Sequence, residues 1–182
     1  MAMLGIQYHR RTVARSELER VGGSISTGRE LSARIDRWLP EVLQCLFYEH
    51  WEVHLSCANI TDAGMANLNG LTCVEVLWLD YAQGVTDAGL ANVKGLVTMR
   101  HLKLDGTGVT DAGLEHLKSM TRLETLSLWS ASVTDAGLKC LTGLTRLKTL
   151  YLYGTKVTEP GVAKLKRALP NAEIHTDWKI YE

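Results

Sequence analysis

The sequence predicts an α/β solenoid, a parallel sheet backed by short helices, and two observations carry that expectation. The first is a recurring tetrapeptide: Thr61-Asp62-Ala63-Gly64, Thr86-Asp87-Ala88-Gly89, Thr110-Asp111-Ala112-Gly113, Thr134-Asp135-Ala136-Gly137 and the variant Thr158-Glu159-Pro160-Gly161. Their first residues stand 25, 24, 24 and 24 positions apart, a period at which each unit stacks only on its neighbours. The second is a set of apolar pairs spaced one residue apart: Val53/Leu55, Leu77/Leu79, Leu102/Leu104, Leu126/Leu128, Leu150/Leu152 and the weaker Ala172/Ile174. Spacing of two turns both members of a pair to one face of a strand.

Residues 1–50 read as an N-terminal helical cap. Ala14, Leu18 and Val21 recur at helical spacing before the stop at Gly22-Gly23, and Leu31, Ile35 and Trp38 mark a second stripe that breaks near Pro40. Leu43, Leu46 and Phe47 continue a third. Between them Gly22 to Thr27 is either an edge strand or a loop. Arg10, Arg11, Arg15 and Arg20 make the first helix basic, as a solvated face or a stretch beside anionic lipid.

Residues 51–182 carry the repeats, with a C-terminal capping repeat from about 158. Each threonine of the tetrapeptide suits a helix N-cap, and the aspartate after it suits the positive end of the helix dipole. Met65/Leu68, Leu90/Val93, Leu114/Leu117, Leu138/Leu141 and Val162/Leu165 form the buried stripes of the following helices, and Gly70, Gly95 and Gly143 end three of them. Recurrence at one structural position makes these aspartates architectural rather than catalytic. One extra residue lies within Asp80 to Val85, where a local bulge is expected. Pro160 falls in the first turn of the last helix, where proline is tolerated.

Composition narrows the function classes. The 182 residues are 46% hydrophobic and 22% charged, which excludes disorder and fits one domain. Lys plus Arg equals Asp plus Glu at 20 each, so the chain lacks the broad positive field of a nucleic-acid binder. Cys45, Cys57, Cys73 and Cys140 have no paired spacing, which points to reduced core thiols rather than a zinc site or disulfides. Without a signal peptide or a span-length apolar run, the chain as given reads as cytoplasmic.

The segment Leu123-Glu124-Thr125-Leu126-Ser127-Leu128 matches the leucine-rich repeat pattern. More narrowly, the 24-residue units such as Val109 to Leu114, the body from Leu138 to Val157 and the ending Gly161 to Leu165 and Leu169-Pro170-Asn171 resemble a planctomycete-type family of bacterial leucine-rich repeat proteins. The resemblance implies a right-handed α/β horseshoe with a concave parallel sheet and convex helices, and no cofactor or catalytic residues. Members often begin with a membrane helix, which implies a membrane-anchored longer form as the alternative localisation.

On the concave side the residues alternating with the buried leucines form three rows. One is Glu52, Val76, His101, Thr125, Thr149 and Asn171; the middle one is His54, Trp78, Lys103, Ser127, Tyr151 and Glu173; the third is Ser56, Asp80, Asp105, Trp129, Tyr153 and His175. Four large aromatics, Trp78, Trp129, Tyr151 and Tyr153, stand at solvent-facing positions although the chain is 7% aromatic. Lateral packing between strands accounts for them, or a contact patch does. We expect a non-enzymatic module that recognises a protein or peptide, anchored by these four with His101, Lys103, Asp80 and Asp105 setting polarity. Asp80 and Asp105, neighbours along one row, place two carboxylates near Lys103, as a salt-linked surface or a small acidic recognition spot. A self-associating scaffold is the alternative. The histidines are too scattered for a metal site, and no serine or cysteine is paired with a base.

Overall fold

The computed structural model describes residues 20, 22, 24–27, 51–56, 59–69, 71, 74–178 and 180–181. Most of the N-terminal block expected to be a helical cap, with Cys45, Cys57 and Cys73, lies outside them. Arg20 is helical and Gly22 takes a positive φ of 89°, which fits the expected stop.

The described strands form one sheet in chain order: β1 Ser24–Thr27, β2 Trp51–His54, β3 Val74–Trp78, β4 His101–Lys103, β5 Thr125–Ser127, β6 Thr149–Tyr151, β7 Glu173–His175 and β8 Ile180–Tyr181. The six from β2 to β7 pair in parallel, and β1 and β8 pair antiparallel at the two ends. The stretch left open between strand and loop, Gly22 to Thr27, thus supplies the first strand. Helices alternate with the parallel strands: α1 Asp62–Met65, α2 Asp87–Leu90, α3 Asp111–Leu114, α4 Asp135–Leu141 and α5 Glu159–Ala168. The first three run on into single 3-10 turns. This is an α/β leucine-rich-repeat solenoid.

Its core is one continuous column. The paired leucines of the strands, from Val53/Leu55 to Leu150/Leu152, are sealed from solvent against the helix residues Met65/Leu68 through Val162/Leu165. A repeat this short cannot bury its apolar residues alone, and stacking does it.

The recurring tetrapeptide binds one repeat to the next. Thr86, Thr110 and Thr134 each accept a hydrogen bond from the backbone N–H two residues on, at 3.3, 3.3 and 3.2 Å, as N-caps do. Thr158 accepts instead from Gly161 N, while Thr61 makes no such bond. The aspartate reaches forward. Asp62 accepts from both the backbone N–H and the hydroxyl of Thr86, at 2.7 and 2.6 Å. Asp87 does the same with Thr110, Asp111 with Thr134 and Asp135 with Thr158. So each carboxylate, besides lying in the first turn of its helix, clamps the next repeat. The glycine follows from the clamp: a Cβ on Gly89, Gly113, Gly137 or Gly161 would overlap the carboxylate of the preceding repeat. At Gly64, among the described residues, a Cβ would meet only Ile60.

Two expectations are met with a difference in detail, and one needs correction. Gly95 and Gly143 follow their helices without left-handed backbone; among the described glycines only Gly22, Gly106 and Gly154 have positive φ. The extra residue of the first full repeat sits in the turn around Gln83 and Gly84, with Ala82 buried beneath it and Tyr81 at φ 58°. The last parallel strand, β7, is slipped by two residues from the expected rows. Leu150 pairs with Ile174 and Tyr151 with His175, so the inward pair is Ile174 with the buried Thr176. Ala172 and Ile174 mimic an apolar pair because the second leucine seat holds a threonine.

Candidate functional site

The strand residues that alternate with the buried leucines form the open face of the sheet. Register places Glu52, Val76, His101, Thr125, Thr149 and Glu173 in one row. His54, Trp78, Lys103, Ser127, Tyr151 and His175 form the next. Beyond it, at the C-terminal ends of the strands, follow Ser56, Asp80, Asp105, Trp129 and Tyr153. The sixth place there belongs to Asp177, which accepts from Gly154 N at 2.8 Å. Asn171 is not part of the face.

The four aromatics divide into two groups. Trp78 stands alone among them, edge-on to His54 at 4.2 Å between ring centres, with the Lys103 ammonium 4.6 Å above its ring. Trp129, Tyr151 and Tyr153 form the other group. Tyr151 stacks on His175 at 4.8 Å, Tyr153 lies 6.3 Å from Tyr151, and Trp129 meets Tyr153 edge-on at 6.1 Å. Lateral packing and exposure therefore coexist, since Trp129 keeps 50% of its surface open to solvent. His175 belongs to this cluster and was hidden by the slipped register.

Between the groups lies a carboxyl pair. Asp80 accepts from the Ser56 hydroxyl at 2.8 Å. Asp105, only 9% exposed, accepts from the Ser127 hydroxyl and, at 2.9 Å, from the Trp129 backbone N–H. Burial pushes the Asp105 carboxyl above its ordinary range and the charge of Asp80 adds to it, against the lowering effect of the two donors. Lys103 does not join them in the expected salt link: among the described residues its cation meets the Trp78 ring instead. His101 stands a row further away, between Val76 and Thr125.

Tyr81, which sequence reasoning passed over, borders the pair. It sits in left-handed backbone at φ 58°, donates its N–H to the Asp105 carbonyl at 2.6 Å and is 56% exposed. Its ring covers Gly106, where a Cβ would come within 2.8 Å of Tyr81 Cδ1.

A second missed feature lies just before the first row. Glu75, Arg100, Glu124 and Lys148 alternate in sign across four neighbouring strands. Arg100 binds Glu124 through Nε at 2.8 Å and lies 3.8 Å from Glu75, while the Lys148 ammonium reaches Glu124 at 2.6 Å. Lys148 first and Arg100 second hold the Glu124 carboxyl down at about 2. Aligning that one column by the repeat period would have exposed the alternation.

Among the described residues no group of three or more His, Cys, Asp or Glu side chains could hold a metal ion. Cys140 is buried and its thiol faces Glu115, and burial first, then that carboxylate, pushes the thiol up and away from nucleophilic character. No described helix is long and apolar enough to cross a membrane.

A leucine-rich repeat family model matches residues 96–118. Among curated proteins no sequence matches the chain. Of solved structures, internalin C2 from Listeria monocytogenes aligns at 23% identity and a TM-score of 0.52, covering 61% of this chain and 45% of that one. A second internalin from that organism, inlF, aligns at 19% identity and a TM-score of 0.45, covering 66% and 38%. The aligned region thus spans less than half the length of either internalin. What the likeness carries is the fold.

Proposed function

We propose that this leucine-rich-repeat chain is a non-enzymatic recognition module that takes a protein or peptide on the open face of its sheet. The observation that carries the reading is the cluster of Trp129, Tyr151, Tyr153 and His175, whose rings are held by one another while Trp129 stays half exposed. A large aromatic braced by neighbours and open to solvent offers contact area at little entropic cost, and such residues dominate binding hot spots. The parallel sheet supports this by fixing each side chain on a rigid element. The 24-residue repeat supports a kinship with the planctomycete-type bacterial proteins. The test is capture from a lysate of the source organism by the wild-type chain beside Trp129→Ala/Tyr151→Ala of unchanged circular dichroism. A partner retained by wild type alone supports the reading; identical recovery by both, or none, counts against it.

Self-association through the same patch is the second reading, favoured by the exposure of Tyr81 and Trp129 together. A mass that rises with concentration would support it, and a strict monomer would remove it.

A further inference from the structure

We infer that the ligand of the open face is an extended polypeptide segment bearing Lys or Arg side chains, seated along Asp80, Asp105, Trp129 and Tyr153. The inference rests on the peptide-recognition reading above and names the chemistry of the partner.

Charge distribution is the first argument. The chain as a whole is neutral, with 20 basic and 20 acidic residues, yet its open face is not. Glu52, Asp80, Asp105, Glu173 and Asp177 stand there with Lys103 the one lysine or arginine of the three rows, and Glu52 and Glu173 each meet a histidine of the face, His54 at 3.3 Å and His175 at 3.2 Å. Lys103 is turned onto the Trp78 ring. Of the described balancing cations, Lys94, Lys139 and Lys164 lie on helices and turns, while Arg100 and Lys148 border the first row, where both pair with Glu124. Partners of complementary potential are drawn to such a face, and an acidic partner is repelled from it.

Local geometry is the second. Asp105 lies between two exposed aromatics bonded to it through the backbone: Tyr81 N–H donates to its carbonyl and Trp129 N–H to its carboxylate. A guanidinium or ammonium drawn to the Asp80 carboxylate would have the exposed Tyr81 and Trp129 as neighbours, a combination suited to cations and above all to the planar guanidinium. Among the described residues no cation pairs with these two carboxylates: their bonds come from Ser56, Ser127 and a backbone amide, none of them charged. A basic side chain would supply the missing countercharge.

Length is the third. The row from Asp80 to Tyr153 crosses four strands spaced about 4.8 Å apart, close to 14 Å in all, the span of roughly four residues of extended chain. An extended segment would therefore set basic side chains at the carboxyl pair and apolar ones at the ring cluster.

The experiment is panning of a random dodecapeptide phage library against the full chain, followed by binding of the enriched peptides to Asp80→Asn, Lys103→Gln and Trp129→Ala variants of unchanged circular dichroism. The expected result is enrichment of Lys- and Arg-bearing sequences, with affinity falling at least about tenfold between low and high salt. Asp80→Asn should weaken binding several-fold, Lys103→Gln should leave it equal or tighter, and Trp129→Ala should abolish it. Enrichment of neutral or acidic peptides that still require Trp129 would overturn the basic ligand while leaving peptide recognition intact. Indifference to Asp80→Asn would do the same. Failure to enrich any peptide that depends on Trp129 would overturn both.

Discussion

The clamp row and the open face are built on the same repeats and obey opposite rules. At the clamp, Thr, Asp and Gly return at the same places and make bonds of the same length, 2.6 Å from hydroxyl to carboxylate in each of four junctions. On the face, one row reads Asp80, Asp105, Trp129, Tyr153, with no chemical type kept along the array. A position that repeats is answering a demand every repeat shares, which is attachment to the next one. A position that varies is free of that demand, and whatever shapes it comes from outside the array.

The comparison can be broken most severely at a glycine. Gly137→Ala places a Cβ on the Asp111 carboxylate and within 3.0 Å of Leu114 Cδ1, and we expect a loss of about 3 kcal/mol in urea unfolding. Gly143, with nothing within 4 Å of an added Cβ, is the control; Gly143→Ala should change stability by less than about 0.5 kcal/mol. Equal losses at both would remove the clamp as the reason for the repeated glycine.

Next comes Asp111→Ala, which strips two bonds from Thr134 and should cost about 2 kcal/mol by the same measurement. The sign ladder is weaker because Arg100 and Lys148 are largely open to water. Glu124→Gln should cost about 0.5–1 kcal/mol at neutral pH. Its pH dependence has a definite sign. The Glu124 carboxyl is depressed in the fold from 4.5 to about 2, so its contribution is present above 4.5 and lost as pH falls towards 2. Acid titration of wild type beside Glu124→Gln should therefore show the two stabilities converging in that window. Asp105 runs the other way: its carboxyl is raised in the fold, so ionising it opposes folding, and its share of stability should grow as pH falls through its folded pKa. Asp105→Asn should flatten that part of the profile.

The smallest effect on stability is expected where the largest effect on binding is. Trp129→Ala removes a half-exposed ring with one edge contact at 6.1 Å, and should shift unfolding by less than about 1 kcal/mol. A loss as large as that of Asp111→Ala would put Trp129 on the architectural side of the comparison.

What could be read from the sequence followed distance along the chain. Leu102 and Leu104, or Thr110 and Ala112, interact through spacings of two residues, and alternation and capping rules reach that far. The Asp87 to Thr110 bond spans 23 residues, so the first-turn aspartate was legible as an anion at a helix start while its partner was not. The glycine three places after each threonine was equally opaque, because the atom it makes room for belongs to the previous repeat. Rows on the face were legible wherever leucine marked both inward seats. They failed at β7, where Thr176 took the second seat and carried Glu173, His175 and Asp177 into different rows. The division of the aromatics depended on side-chain directions, such as Lys103 turning to Trp78 and not to Asp80, which no spacing records.

Each clamp joins only adjacent repeats and always in the same sense, from carboxylate to the following threonine. A duplicate of residues 110–133 inserted after Val133 would find every partner already in place: Asp111 would take the new threonine, and the new aspartate would take Thr134. The array can thus be lengthened without redesign at any junction of this kind. Each added copy would widen the open face by one strand, about 4.8 Å, so the breadth of the surface is a modular quantity, set by copy number.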